Sequence, residues 1–383
     1  MKKRILFIAE NLYGGGVERI LQIILKNFDY EKYDVTLYSS RPETLHPDYY
    51  PTSIRLQHYF ESCGANASLY KKIRCRIINK LKLLVYYHLS PTWFYRLFIK
   101  GKYDVGIAFI EGYATRILSG GPKNMKKIAW VHIELNTYHW TEVAFQSLKE
   151  ERKCYAQMDN VVCVSNIVKE QVDNIFYTNG KSKVIHNPID VKYIIESSQL
   201  YLPNQYAKKN KVRIVTIGSL TKRKGIDRLV KASAVLHKQG FDFDVLILGK
   251  GPCEKDIYEL ITELGLEKDV KLVGFQSNPY PFLKSADIYV CSSFAEGYNT
   301  AVSEALILGK AVVSTEVSGV REQLGDNSEY GIIVENTTDG LCKGIATMLH
   351  GNNIQHYTEL SKKRGSLFSL ERQMLNIYNL IEA

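Results

Sequence analysis

The sequence predicts an α/β protein built from two doubly wound domains. Short apolar runs alternate with segments of helical periodicity through most of the chain, which is the pattern of parallel sheets covered by helices. The 383 residues exceed what one hydrophobic core usually supports, so two domains are expected. Polar or glycine-rich turns follow several apolar runs, as they do at the ligand-binding edge of open parallel sheets. The sequence shows no internal repeat.

Composition places the chain among ordinary globular proteins. Hydrophobic residues make up 45% and charged residues 23%. Seven cysteines occur without a Cys-x-x-Cys pair, so we expect reduced thiols in a cytoplasmic protein and neither a disulfide framework nor a zinc site. The apolar run 5–9 is too short for a signal peptide and predicts a buried strand. No run approaches the roughly 18 apolar residues of a membrane span.

The formal net charge of +10 is distributed unevenly. Residues 1–190 contain 27 Lys and Arg against 18 Asp and Glu, a net of +9, whereas residues 191–383 contain 23 against 22, a net of +1. A basic first half implies an acidic partner on that side, which leaves anionic lipid, a phosphorylated acceptor or nucleic acid open.

Two ligand-binding features are predicted in the first half, where the expected strands are 4–9, 35–39, 105–109, 127–131, 160–164 and 183–186. The first strand leads through a glycine-rich turn with Gly15 and Gly16 into an amphipathic helix, and glycine lets a backbone approach a phosphate closely. A tight strand-to-helix turn is the alternative. His132 directly follows the fourth strand, where open sheets bind ligands. A hydrogen-bonded structural histidine is the alternative there.

Residues 69–100 are basic and apolar at once. They contain eight Lys and Arg and no Asp or Glu, interleaved with aliphatic and aromatic residues that include Trp93 and Phe94. A basic amphipathic helix of this kind suits an anionic membrane surface. A helix pair with a solvated basic face is the alternative. Nucleic acid is not expected as a partner because no RNA- or DNA-binding signature accompanies the segment.

The second half begins with a polar segment, 191–210, which we interpret as a linker. Its predicted strands are 212–217, 245–248, 270–273, 288–291 and 311–314. The loop after the first of them contains Gly218, Lys222, Arg223 and Lys224, a concentration of positive charge. Ser369 is expected to cap a final amphipathic helix, 370–381.

The stretch 289–318 predicts a strand, a polar loop, a helix and a second strand. Glu296 and Gly297 lie in the loop, and Glu304 lies within the helix that starts near Thr300. We expect the backbone N–H groups near Thr300 and Ala301 to be unpaired, and such a helix end binds phosphate. Two acids beside an anion site suit a ligand with hydroxyls at both ends and phosphate between them, which describes a nucleotide sugar.

These motifs resemble those of glycosyltransferase family 4, the glycosyl transferases group 1. The resemblance rests on the Glu296-x7-Glu304 spacing with its flanking strands, on Gly15-Gly16-Val17-Glu18-Arg19, on Gly249-Lys250-Gly251-Pro252 and on Asn187-Pro188-Ile189-Asp190. It implies the GT-B fold, with two Rossmann-like domains facing a cleft. Residues 1–190 would then bind the acceptor, residues 191–368 the nucleotide sugar, and residues 369–383 would form a helix returning to the first domain.

The resemblance also implies the site residues. Lys224, Glu296 and His132 are the expected catalytic residues. The expected donor-binding residues are Gly15, Gly16, Gly218, Arg223, Lys224, Gly274, Phe275, Glu296, Gly297, Asn299, Thr300, Ala301 and Glu304. The chain departs from the family at Ser219, where the family has an arginine, and either Arg223 or Lys222 would then supply the missing charge.

The expected reaction is sugar transfer with retention at the anomeric carbon, from a nucleotide sugar, UDP being the expected nucleotide, to a glycan or lipid-linked acceptor of a bacterial cell surface. No metal and no cofactor are expected, because no Asp-x-Asp motif ends a strand and the sequence has no histidine cluster. The location would be the cytoplasm, with peripheral contact at the inner membrane face. Two alternatives stay open: a nucleotide-sugar isomerase of the same fold, and a non-catalytic partner subunit, which the loss of the arginine at Ser219 suggests.

Overall fold

The computed structural model describes residues 1–9, 15–40, 50–61, 67–201 and 211–383. The chain forms two compact units, Met1–Pro188 with Glu371–Ala383, and Ile189–Leu370. The boundaries expected from the sequence were 190/191 and 368/369. The linker residues 202–210, together with Gly14 and Cys63, lie outside the described residues.

Strands occur in both units. They are β1 (Lys3–Ala9), β2 (Tyr33–Ser39), β3 (Arg55–His58), β4 (Val105–Ala108), β5 (Lys126–Val131), β6 (Asn160–Cys163), β7 (Ser182–Val184), β8 (Val212–Ile217), β9 (Phe243–Leu248), β10 (Val270–Gly274), β11 (Ile288–Cys291), β12 (Ala311–Thr315) and β13 (Ile332–Val334).

Helices connect nearly all of them. They are α1 (Gly16–Lys26), α2 (Leu69–His88), α3 (Pro91–Phe98), α4 (Tyr113–Ser119), α5 (Leu148–Ala156), α6 (Asn166–Phe176), α7 (Val191–Ser197), α8 (Ile226–Lys238), α9 (Glu254–Glu263), α10 (Tyr280–Ser285), α11 (Thr300–Ile307), α12 (Val320–Leu324), α13 (Thr338–Leu349), α14 (Asn353–Gly365) and α15 (Leu370–Glu382).

The strands of the first unit form one parallel sheet in the order β3-β2-β1-β4-β5-β6-β7. The strand order reverses between β1 and β4, so the loops that follow these two strands diverge. In an open α/β sheet, ligands bind at such a switch point, outside the carboxyl ends of the strands.

The second unit repeats this arrangement in a parallel sheet of order β10-β9-β8-β11-β12-β13, with its switch point between β8 and β11. Consecutive residues of β8 enter opposite cores: Ile214 packs in one cluster and Val215 in the other. Because helices cover both faces, the strands are apolar without alternation. This explains why short continuous apolar runs identified them in the sequence.

The last helix, α15, belongs to the first unit, as the sequence predicted. Tyr378 stacks on Tyr33 with ring centroids 5.7 Å apart, and its hydroxyl accepts a hydrogen bond from the Asp29 backbone N–H at 2.9 Å. Glu382 accepts bonds from the Lys3 ammonium and the Tyr33 hydroxyl, both at 2.7 Å. These contacts anchor the end of the chain to the beginnings of β1 and β2.

Neither β3 nor β13 was among the predicted strands, and the segment 191–210 also differs from its expectation. β3 was missed because its four residues are mostly exposed and carry no apolar run. The interpretation of 191–210 as a linker is wrong for its first part, since α7 occupies Val191–Ser197. Asp190 caps this helix, and Ile194 packs with Ile189 and Tyr280. One buried position per turn is too weak a signal to reveal a seven-residue helix.

The turn after β9 requires glycine. Gly249 has φ of +145°, and a Cβ on it would lie 1.8 Å from the Gly218 carbonyl oxygen. The close approach joins the turns that follow β8 and β9.

We expect Gly249→Ala to lower the free energy of unfolding of the second unit by about 3 kcal/mol or more. Backbone strain at positive φ costs about 1–3 kcal/mol, and the clash of the new Cβ with the Gly218 carbonyl oxygen adds to it. Gly240→Ala is the matched control, because Gly240 also has positive φ (+91°) but nothing within 4 Å of the added Cβ. Its cost should be about 1–2 kcal/mol. Urea denaturation of both variants measures the difference, and equal losses would show that the close approach is not what requires glycine.

Candidate functional site

The strongest candidate site lies where the strand order of the second sheet reverses. Two loops leave this point, 218–225 after β8 and 292–299 after β11. They are packed together: Gly225 has φ of +57°, and a Cβ there would lie 2.3 Å from the Ser292 carbonyl oxygen. The Ser292 hydroxyl donates to the Lys224 carbonyl at 2.9 Å. The topology therefore holds the basic loop and the acidic loop against each other.

Glu296 is the centre of a buried polar cluster. Its Oε1 accepts hydrogen bonds from Lys224 Nζ at 2.5 Å and from the Ser293 hydroxyl at 2.6 Å. Its Oε2 accepts from Arg223 Nη1 at 3.2 Å, and Asn299 Nδ2 lies 3.4 Å from Oε1. The cluster thus contains two cations against one carboxylate, with Glu296 only 6% exposed. The surplus positive charge is available to an anion.

The ionisation of Glu296 follows from these partners. Burial by itself would raise the pKa of this carboxyl, but the charges of Lys224 and Arg223 and the hydrogen bonds from Lys224 and Ser293 outweigh it and hold the pKa below the ordinary value. Glu296 is therefore an anion at neutral pH. An ionised acid accepts hydrogen bonds, for example from hydroxyls, and is a poor proton donor.

The backbone of the acidic loop is held by residues that the sequence did not single out. Arg228 donates to the Ser292 carbonyl and stacks 3.5 Å from the centroid of the Phe294 ring. It also donates to the Asn336 carbonyl at 3.0 Å, while the Thr315 hydroxyl donates to the Ser293 carbonyl at 2.7 Å. Arg228 is 4% exposed. Nothing in its local sequence signals this role, because its partners are far away along the chain.

The start of α11 corrects one expectation. The Ala301 N–H is not unpaired: the Asn299 side chain caps the helix and accepts from it at 3.0 Å. Asn299 Nδ2 is bonded in turn to Cys291 Sγ at 3.1 Å. An asparagine that precedes a helix is a preferred N-cap, so the sequence itself contained the signal for this contact. The helix dipole still favours negative charge near this end.

Glu304 lies on the first turns of α11 but outside the Glu296 cluster. It is 6% exposed, and its Oε1 accepts a hydrogen bond from the Tyr280 hydroxyl at 3.1 Å. Tyr280 is itself buried beside Ile189 and Ile194. The structure therefore keeps the two glutamates of the motif in separate hydrogen-bonding environments on one loop-and-helix unit.

The remaining candidates of this unit lie along the same edge of the sheet. A Cβ on Gly218 would lie 3.4 Å from the Lys224 side chain. The Gly249 N–H donates to the Gly274 carbonyl at 2.9 Å, which joins the turns after β9 and β10. Phe275 follows with 56% exposure, Gly297 is buried and Thr300 is partly exposed.

The structure distinguishes the two residues considered as substitutes for the family arginine. Ser219 and Lys222 are exposed. Arg223 turns inward, where it donates to the Ala295 carbonyl at 2.8 Å and to Glu296. The geometry therefore favours Arg223 over Lys222 as the second cation of the cluster.

The first unit carries a second polar cluster beyond the carboxyl ends of β4 and β5, the strands on one side of its switch point. His132 Nε2 lies 2.8 Å from the Phe109 carbonyl, which only accepts, so Nε2 carries the hydrogen. Burial lowers the pKa of His132 to about 3, although that hydrogen bond acts in the opposite direction. Glu111, missed from the sequence, accepts from the His132 N–H at 2.9 Å and from Trp140 Nε1 at 3.1 Å. His132 is a neutral, fixed imidazole, suited to hydrogen bonding and not to proton transfer at neutral pH.

Gly15 and Gly16 lie exposed at the start of α1, with Gly15 as its N-cap. Burial raises the pKa of the nearby Glu18 carboxyl to about 7, while hydrogen bonds from the Glu18 and Gly15 backbone N–H groups act against this. The Glu18 carboxyl group thus accepts a hydrogen bond from the Gly15 N–H, as the glutamate of a capping box does. Residues 10–14 of the glycine-rich turn lie outside the described residues.

Neither a metal-binding cluster nor a membrane-spanning helix is found among the described residues. Across the described ranges, no group of three or more His, Cys, Asp or Glu side chains is arranged to hold a metal ion. Among the helices that the structure describes, none has the length and apolar character needed to cross a membrane.

Two family models match the chain. Residues 14–193 match Glycosyltransferase Family 4, and residues 201–364 match Glycosyl transferases group 1. The two matched regions contain the two candidate clusters, one each.

Curated relatives are similar over part of their length. One is the N-acetylgalactosamine-N,N'-diacetylbacillosaminyl-diphospho-undecaprenol 4-alpha-N-acetylgalactosaminyltransferase of Campylobacter jejuni, 31% identical over 204 residues, which cover 52% of this chain and 53% of the relative. Another is the amylovoran biosynthesis glycosyltransferase AmsK of Erwinia amylovora, 26% identical over 231 residues, covering 57% of this chain and 55% of the relative. The chain therefore spans about half the length of these relatives.

A solved structure extends the likeness to the whole fold. HepE of Anabaena, crystallised with UDP and glucose, superposes with a TM-score of 0.73 at 18% identity, covering 99% of both chains. At this identity the likeness shows the fold alone, and the fold is GT-B. With both halves matched by models of one kind, the chain belongs to the family 4 glycosyltransferases.

Proposed function

We propose that the protein is a glycosyltransferase that moves a sugar from a nucleotide sugar to a hydroxyl of an acceptor. One observation carries the proposal: two cations, Lys224 and Arg223, share one buried carboxylate, Glu296, at the switch point of the second sheet. The cluster retains one positive charge and sits where an open sheet binds its ligand. A diphosphate flanked by hydroxyl-bearing groups matches both features.

Different residues of the second unit bind different parts of the donor. Lys224 and Arg223 hold the diphosphate, aided by the positive end of α11. Glu296, which is ionised, accepts hydrogen bonds from hydroxyls of the transferred sugar. Glu304 accepts from the ribose hydroxyls, and the exposed Phe275 beside Gly274 meets the base. UDP is the proposed nucleotide, which the UDP bound to HepE supports.

Cleavage of the bond to the diphosphate leaves negative charge on the phosphate oxygens. Fixed positive charge that is aimed at this developing charge stabilises the transition state, since it needs no reorganisation during the reaction. We propose that Lys224 and Arg223 supply it without a metal ion. The transfer retains the anomeric configuration, and the leaving phosphate takes the acceptor proton, because no described group of the Glu296 cluster is a free base.

The first unit would bind the acceptor. His132 offers a fixed imidazole for a hydrogen bond to a sugar hydroxyl, and Glu111 keeps its backbone in place. Gly15 and Gly16 allow a phosphate to approach the backbone. The acceptor is a glycan or a lipid-linked sugar in the synthesis of a bacterial cell-surface polysaccharide or glycoconjugate, at the cytoplasmic face of the membrane. The undecaprenol-linked acceptor in the Campylobacter relative's name supports a lipid-linked one.

The proposal is tested in two steps. A thermal-shift screen of nucleotide sugars identifies the donor, because a ligand that binds only the folded state raises the unfolding midpoint. Release of nucleoside diphosphate is then measured with and without candidate acceptors. Turnover of the donor that needs no acceptor and releases no diphosphate would favour the isomerase, and binding without any turnover would favour a partner subunit.

Replacing Lys224 with alanine should lower the turnover number about a hundredfold or more, because one preorganised charge on the leaving group is lost. The steady-state rate of diphosphate release measures it. Lys222→Ala is the matched control, since Lys222 is an exposed lysine of the same loop and should keep near-normal turnover. Circular dichroism checks that Lys224→Ala still folds. Equal rates for Lys224→Ala and the wild type would assign the role to Arg223.

Replacing Glu304 with alanine should weaken nucleotide binding about tenfold to a hundredfold. This factor corresponds to the loss of one hydrogen bond to a charged group, which contributes about 1.5–3 kcal/mol. Isothermal titration calorimetry with the donor from the screen measures it. Tyr280→Phe is the control, because it removes the internal hydrogen bond to Glu304 and leaves the carboxylate. Unchanged affinity in Glu304→Ala would remove this residue from the site.

Chelation should leave the rate intact. Diphosphate release in the presence of excess EDTA is expected to equal the rate without it, because protein charge alone neutralises the leaving group. A rate that EDTA abolishes and added Mg²⁺ or Mn²⁺ restores would disprove the metal-independent mechanism.

A further inference from the structure

Helices α2 and α3 of the first unit expose apolar side chains. On α2, Tyr70 is 77%, Ile77 56% and Leu81 57% exposed, and on α3 Trp93 is 56% and Leu97 58% exposed. Single exposed apolar residues are ordinary on a soluble protein. A group of exposed apolar residues on two consecutive helices is less ordinary, and it is a candidate place of interaction.

The face of α2 that contacts the unit is polar. Asn79 Nδ2 donates to the Glu61 carbonyl at 3.0 Å, Lys82 Nζ donates to the Tyr59 carbonyl at 2.8 Å, and the Tyr86 hydroxyl donates to the Ala144 carbonyl at 3.1 Å. Cys75 and Tyr86 are the buried residues of the helix. Hydrogen bonds to backbone carbonyls, more than apolar packing, therefore attach α2 to the unit.

The opposite face of α2 is an apolar stripe. Tyr70, Ile73, Ile77, Leu81 and Leu84 follow one another at intervals of three or four residues, which places them within an arc of about 80° on a helix of 3.6 residues per turn. All five are at least 47% exposed. The helix is thus amphipathic with its apolar side directed away from the protein.

Positive charge borders this stripe. By helical position, Arg74 lies on one side of it and Arg76 and Lys80 on the other. The whole segment 69–100 has eight Lys and Arg and no Asp or Glu. On α3, the Arg96 guanidinium lies 5.6 Å from the centroid of the exposed Trp93 ring.

The two helices form one surface element. The Tyr86 and Phe94 rings are in contact with centroids 5.4 Å apart, and Phe94 also packs on Tyr59 at 4.9 Å. Apolar side chains with a basic border, and a tryptophan among them, are the features of helices that lie in the interface of an anionic bilayer.

We propose that the outward faces of α2 and α3 dock the protein on an anionic lipid bilayer. Ile73, Ile77, Leu81 and Leu84 enter the boundary between headgroups and acyl chains, and Arg74, Arg76 and Lys80 bind lipid phosphates. The inference deepens the proposed function and rests on it for its purpose, which is to hold the enzyme at the surface that carries a lipid-linked acceptor. The docking itself requires no sugar transfer.

A second copy of the chain is a poorer occupant of this face. Pairing α2 with α2 would bring the basic borders of both copies together with no acid in the segment to compensate them. Like charges that face each other oppose association. An anionic bilayer satisfies the apolar stripe and its border together.

Flotation of the purified full chain with vesicles tests the proposal. We expect binding to phosphatidylglycerol-containing vesicles at low salt, and weak binding to pure phosphatidylcholine. Ile77→Ser with Leu81→Ser should reduce binding to the anionic vesicles about tenfold or more, since two inserted side chains are lost. Arg76→Gln with Lys80→Gln should reduce it by about fivefold for each charge removed, and high salt should act likewise.

Matched controls come from the same unit. Ile167→Ser removes an apolar residue that is 39% exposed on α6, and Lys149→Gln with Lys153→Gln removes two exposed lysines with the same spacing on α5. These should bind vesicles as the wild type does. Donor binding, measured by calorimetry, should be unchanged in all variants, so a failure of docking is distinguishable from a failure of the proposed enzyme function.

Three results would overturn the proposal. One is equal binding of the wild type to neutral and anionic vesicles, or binding to neither. The second is full binding by the Ile77 and Leu81 double variant. The third is a wild-type dimer in analytical ultracentrifugation together with a monomeric double variant. This result would assign the face to a second copy of the chain.

Discussion

The candidate site depends on one buried interaction, the pairing of Glu296 with Lys224 and Arg223. An isolated carboxylate with 6% exposure would be costly, since burial disfavours the charged form. Two cations and the Ser293 hydroxyl compensate that cost and keep the group ionised. The partners come from two loops that are far apart in sequence. The interaction therefore fixes the loops to each other and leaves one uncompensated positive charge at the edge of the sheet.

The topology makes this pairing possible. β8 and β11 are neighbours, yet the chain proceeds from them to opposite sides of the sheet. The loop that follows β11 is then secured around its backbone by Arg228 and Thr315. A site for a charged ligand has to hold its polar groups in fixed positions before the ligand arrives, because reorganisation would consume binding energy. The rigid loop supplies that preorganisation.

The two units place different chemistry beyond the carboxyl ends of their strands. The second unit has the ionised cluster of Glu296, whereas the first has His132, neutral and held by the Phe109 carbonyl and by Glu111. A cationic cluster suits a diphosphate, and a neutral imidazole suits hydroxyl groups. The first unit also bears α2, whose attachment through polar groups leaves its apolar side outward. Most of the net charge of the basic half thus lies in the segment 69–100, which also carries exposed apolar side chains.

The sequence by itself determined the α/β class, the family, the positions of most strands and the helix that returns to the first unit. These depend on local patterns: apolar runs, glycine turns and the spacing of Glu296 and Glu304. Tertiary structure alone decided which residues meet. It selected Arg223 over Lys222, engaged the Ala301 N–H through Asn299, and brought in Arg228 and Glu111, whose partners lie beyond the ends of other strands. It also decided that α2 directs Ile77 and Leu81 away from the unit. A sequence pattern reports the two faces of a helix, but only packing determines which face the protein covers.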